Sequence, residues 1–126
     1  MNNADIVEQI ESLCGSAMRL ENGWYHFVYQ KLHYVNILDC KNGIIRCSIP
    51  HVCKDSEFDR ERIEEVINET NREVKFIKAV ILENGSISIN YDHKISEGER
   101  ASDIVPHMIK TLYSASEYFM FKLQMQ

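Results

Sequence analysis

Apolar positions along the chain change their period several times, and each change predicts an element. Ile6, Val7, Ile10, Leu13 and Cys14 recur at helical spacing, so residues 3–14 read as a helix. Asn2 or Asn3 can cap its start, Asp5 suits the positive end of its dipole, and Gly15 can end it. Three strands follow, at 24–30, 33–39 and 44–49. Asn42-Gly43 separates the last two and predicts a two-residue type I′ hairpin. Asn22-Gly23 and Asn84-Gly85 are further hairpin signals. Pro50 cannot donate to a ladder, so it is expected to end the third strand and open a loop over 50–58.

The stretch 63–82 organises the rest. Ile63, Val66, Ile67 and Thr70 form one stripe of a helix over about 59–71, with Ser56 or Asp59 as candidate cap. Asn68 and Asn71 at its end suit a left-handed exit, and Arg72 complements the negative dipole end. The period then switches to that of a strand over about 74–83, rich in β-branched residues. Residues 86–91 alternate cleanly, with Ile87, Ile89 and Tyr91 against Ser86, Ser88 and Asn90, which predicts a sheet with one polar face. A polar connection over 92–102 leads to a last helix from about Ser102 or Asp103 to Leu123, placing Pro106 in its first turn, with a kinked earlier start as the alternative. Its core stripe is Val105, Met108, Ile109, Leu112, Ser116, Phe119, Met120 and Leu123. The expected fold is a single α+β domain over 1–126 in the order α-β-β-β-α-β-β-α. It has three helices and a five-stranded, mostly antiparallel sheet.

Composition narrows the function. A chain of 126 residues, 44% hydrophobic and 26% charged, suits one ordinary globular domain. Its net charge of −5, with both signs mixed, argues against a nucleic-acid partner, because phosphate binding needs a concentrated basic surface. No export signal or apolar run long enough for a membrane span is visible, so a cytoplasmic protein with reduced thiols is expected.

Catalytic motifs are missing: there is no HExxH, P-loop, GxGxxG or nucleophile elbow. Cys47, His51 and Cys53 carry the ligand types zinc prefers, with Cys40 near across a hairpin. They lack a CxxC pair, and Cys47 alternates with Ile45 and Ile49 as a core residue would. A Cys–His nucleophile, Cys53 with His51 or His93, would need a third orienting group that sequence does not supply. The carboxylates between Glu57 and Glu69 are interleaved with Arg60 and Arg62 and read as a solvated helix face.

Two apolar clusters remain. Tyr118, Phe121 and Met125 fall together on the side of the last helix opposite its core stripe. Either a partner covers them, or the helix end is clamped inside the domain. Trp24, Tyr25, Phe27, Tyr29 and Tyr34 crowd the first hairpin on both faces, as internal cross-strand packing or as one groove for a partner peptide.

The passage NETNREVKFIKAVILENGSISINYD (68 is the first Asn, 71 the second), followed by a short polar loop with Gly98 and a long helix, resembles the YbjN family. The order of elements does so over residues 4–123. Members of that family are labelled bacterial sensory transduction regulators, and their fold is similar to that of type III secretion chaperones. The resemblance implies a bacterial cytoplasmic protein that binds rather than catalyses. The expected function is therefore a non-enzymatic, chaperone-like or regulatory module that holds a protein client as a homodimer, with no cofactor. Tyr118, Phe121 and Met125 are the candidate self-contact, and the aromatics from Trp24 to Tyr34 the candidate client contact. The alternative is a small-molecule or metal-responsive sensor built around Cys47, His51 and Cys53.

Overall fold

Apolar stripes on three helices meet one face of a single sheet. The computed structural model describes residues 1–125. In chain order these form α1 (Asn3–Cys14), β1 (Met18–Arg19), β2 (Tyr25–Tyr29), β3 (Leu32–Asp39) and β4 (Ile44–Lys54). A 3-10 turn (Asp55–Glu57), α2 (Arg60–Glu73), β5 (Ile77–Ile81), β6 (Ser86–Lys94) and α3 (Ala101–Gln124) follow. Every strand pair is antiparallel, and the spatial order is β1-β2-β3-β4-β6-β5. The α+β class with three helices holds, but the sheet has six strands instead of five.

The additional strand is β1, whose Met18 and Arg19 pair with His26 and Tyr25. Asn22-Gly23 is the turn of that hairpin: the Asn22 side chain accepts a hydrogen bond from the Trp24 N–H at 3.0 Å, and Gly23 takes φ 89°. The hairpin signal was present; its upstream strand is too short to show a period.

Turn chemistry departs from expectation elsewhere. Asp39 pairs with Ile44, so residues 40–43 make a four-residue loop in which only Gly43 has positive φ. Asp39 holds it by accepting from the Asn42 backbone and side-chain amides, at 3.1 and 2.8 Å. The two-residue turn with both residues left-handed is instead Gln30-Lys31, φ 51° and 67°, between β2 and β3.

Pro50 does not end β4, which continues to Lys54, so the loop expected over 50–58 is largely strand. On one side β3 pairs with β4 only as far as Ser48. On the other the register with β6 shifts between Ile49 and Cys53. Pro50 therefore sits where neither ladder asks for its missing N–H, at a bulge.

Asn2 caps α1 in a reciprocal box with Asp5, and Asp59 caps α2 by accepting from the Arg62 N–H. α2 runs two residues further than expected, and β5 starts at Ile77 rather than Val74. The left-handed residue between them is Phe76, φ 73°, and not an asparagine. α3 starts at Ala101, so Pro106 lies in its second turn and leaves free only the carbonyl of exposed Ser102.

Phe27, Tyr34, Ile45, Cys47, Ile49, Ile87 and Ile89 face the helices and are at most 2% exposed. Ile6 and Ile10 of α1, Ile63 and Val66 of α2, and Met108, Ile109, Leu112 and Phe119 of α3 close on them. α3 packs between α1 and α2 and touches β4, β5 and β6. Among the described residues no helix covers the opposite face of the sheet.

Candidate functional site

Alternation along β2 and β3 sorts the hairpin aromatics into two groups. Phe27 and Tyr34 stack in parallel at 5.1 Å, and Tyr29 meets both Tyr34 (6.2 Å) and Tyr113 of α3 (5.8 Å) edge-on. These rings are core, or nearly so; Tyr25 and Tyr29 keep partial exposure. Trp24 and Val28, by contrast, are 42% and 43% exposed on the uncovered side. Of the five aromatics from Trp24 to Tyr34, only Trp24 is fully presented.

The end of α3 divides in the same way. Tyr118 lies against α2, its hydroxyl donating to Glu69 Oε1 at 3.3 Å. Lys122 pairs with the same carboxylate at 3.3 Å and stands over the Tyr118 ring. Arg62 of α2 donates to the carbonyls of Lys122 and Met125, satisfying acceptors that a helix C-terminus leaves open. Phe121 is 63% and Met125 44% exposed, so two residues of the stripe are presented and the third is engaged within the chain.

The sheet separates the Cys47, His51 and Cys53 cluster. Cys47 and Cys53 are buried on the helix side. His51 is exposed and bonds through Nδ1 to Ser86 Oγ at 2.8 Å, and strand alternation in β6 puts Ser86 on the other face. Burial pushes the Cys53 thiol up to about 11 and that of Cys47 further, so both stay protonated at neutral pH and are poor nucleophiles or ligands. His93 is held by Glu99 at 3.0 Å, a carboxylate lowered mainly by the Ser96 backbone amide and then by His93 itself. Among the described residues no group of three or more His, Cys, Asp and Glu is placed to hold a metal ion.

Sequence reasoning missed the uncovered sheet face as a continuous surface. Val28, Val35, Ile37, Ile44 and Val80 are at least partly exposed on it, around a bidentate Arg46–Asp92 pair at 2.6 and 2.8 Å. No strand contributes more than two of these residues, so no single segment reads as an apolar patch. A shallow groove of about 380 Å³ runs between α2 and β5, lined by Glu64, Ile67, Asn68, Ala79, Val80 and Ile81. Beside it the Asn71 side chain accepts from the Ala79 N–H at 2.6 Å and donates to the Ala79 carbonyl at 3.1 Å.

Among the described residues no helix is long and apolar enough to cross a membrane. No family model and no curated protein matches the chain. Solved structures do. A chain of the ExsC–ExsE complex superposes with a TM-score of 0.72 at 12% identity, over 98% of this chain and 97% of its own. A chain of the HopA1–SchA chaperone–effector complex superposes at 0.64 and 7% identity, over 97% and 92%. An uncharacterized protein from Methanothermobacter thermautotrophicus does so at 0.58 and 16% identity, over 94% and 96%. At such identities the likeness is one of fold, and it extends over nearly the whole chain.

Proposed function

We propose that this chain is a non-enzymatic protein-binding module that holds a segment of a client protein and works as a homodimer. The observation that carries the reading is the end-to-end fold likeness to chains solved in the ExsC–ExsE and the HopA1–SchA chaperone–effector complexes. It is supported by an uncovered sheet face with exposed apolar side chains, a surface suited to an extended peptide. In this reading Trp24 and Val28 meet the client, and Tyr25 and Tyr29, turned toward the helix side, contribute only through their partly exposed edges. Phe27 and Tyr34 are the foundation beneath them. Phe121 and Met125 make the self-contact, and Tyr118 fixes the helix that presents them. Membership of the YbjN family and a bacterial cytoplasmic setting belong to the same proposal.

Light scattering and peptide-array binding test it together. The expected wild-type mass is twice the 14.7 kDa of one chain. Phe121→Ser should halve it, and Trp24→Ser should weaken peptide capture without changing it. A monomeric wild type removes the homodimer. Capture unaffected by Trp24→Ser plus Val28→Ser removes the client surface.

A further inference from the structure

Three neighbouring strands place chemistry in a row on the uncovered face. His26 of β2 and His33 of β3 approach to 2.8 Å between Nε2 and Nδ1. Their centroids are 5.1 Å apart and their planes 19° from parallel. That separation equals the inter-nitrogen distance plus a ring radius at each end, so the two rings are nearly coplanar and meet edge to edge through these nitrogens. Directly opposite His26 on β1 is Met18, 60% exposed. Directly opposite residues of an antiparallel pair point to one face, so the Met18 side chain shares the face of His26, one strand out from it.

We propose that Met18, His26 and His33 form a copper(I) site. Imidazole suits several late transition ions, but a thioether beside it selects the soft monovalent one. Two imidazole nitrogens on one ion, each roughly 2 Å from it, lie about 3.3 to 3.5 Å apart at tetrahedral or trigonal angles. The rings therefore part by roughly half an ångström or slightly more and tilt to turn their lone pairs onto the metal. No proton is lost overall. Whichever ring donates in the present N–H···N bond moves that proton to its other nitrogen, which faces away from its partner. His26 then ligates through Nε2, His33 through Nδ1 and Met18 through Sδ. The site lies outside the Cys47, His51 and Cys53 region and does not depend on client binding.

Trp24, two residues before His26, is the chain's single tryptophan and reports on the site. The full chain carrying Cys40→Ser, which removes the exposed thiol, is titrated anaerobically with copper(I) and separately with zinc chloride. Trp24 fluorescence and the backbone amide NMR signals are followed. The expected result is one equivalent of copper, quenching of Trp24, and shifts confined to β1, β2 and β3. His26→Gln or His33→Gln should weaken binding by about a hundredfold, since each removes one arm of a chelate. Met18→Leu should weaken it by about tenfold and leave zinc unaffected. Circular dichroism of each variant confirms the fold. Copper affinity unchanged by either histidine substitution overturns the site. So does an affinity that falls as much in Cys14→Ser. Zinc bound more tightly than copper, with no effect of Met18→Leu on either, overturns the copper assignment.

Discussion

On the helix side of the β2–β3 hairpin, Phe27 and Tyr34 stack at 5.1 Å and are at most 2% exposed. On the other side Trp24, Val28 and His33 stand in the open. The two sides are built from alternate residues of the same strands, with similar β propensity, so nothing local distinguishes them. The difference comes from α1 and α3, which cover one face only. Apolar side chains on the covered face stabilise the domain. Those on the bare face cost little to replace and are free to meet another molecule.

The sharpest way to break that comparison is substitution across it. Phe27→Ala or Tyr34→Ala is expected to destabilise the domain by about 3–5 kcal/mol, the cost of emptying a large packed core position. Val28→Ser should stay within about 0.5 kcal/mol, as surface changes do. Urea denaturation of the three variants measures this, and comparable losses on both faces would dissolve the distinction. The next effect concerns the edge of the sheet. Asn71→Ala leaves the Ala79 N–H and carbonyl without their side-chain partner and should cost about 1–3 kcal/mol. Light scattering should also show concentration-dependent association in that variant, because a strand edge is uncovered. Within the covered face, the Tyr34 hydroxyl is buried with no partner among the described residues. Tyr34→Phe should therefore be neutral or raise stability by up to about 1 kcal/mol, and a clear loss would reveal a bond there. Smallest is the Arg46–Asp92 pair on the bare face, each side chain nearly half exposed. A double-mutant cycle should return about 0.2–1 kcal/mol, falling with added salt. Thiol chemistry gives a further contrast: at pH 8 iodoacetamide should modify exposed Cys40. It should spare Cys47, Cys53 and Cys14 until the chain unfolds, because burial raises their thiols and keeps them protonated.

The three helices and five of the strands were legible because each carries a long, one-sided pattern. The Ile63, Val66, Ile67 and Thr70 stripe is reproduced, and the alternation from Ser86 to Tyr91 sorts its residues onto two faces, although Ser86 and Ser88 are buried on the face expected to be wet. Met18–Arg19 was not legible, since two residues cannot show a period, although Asn22-Gly23 already implied a strand on each side of it. Pro50 misled because its rule concerns ladders, and whether β3 or β6 still pairs at that point is a matter of register. The site was legible in composition and not in direction. Trp24, Phe121 and Met125 were singled out and are exposed. Phe27 and Tyr34 were singled out and are core. The His26–His33 pair escaped notice because a diagonal neighbour across a hairpin is fixed by the turn, and Gln30-Lys31 carries no glycine to announce it.

Asn71 gives the far edge of the sheet a quality beyond stability. A side-chain amide has the same donor and acceptor as a peptide unit, so at Ala79 the last strand already has a neighbour, and that neighbour cannot be extended. A sheet that ends in an open edge strand has to avoid seeding a fibril. Here a single asparagine acts as a full stop at the margin where such growth would begin.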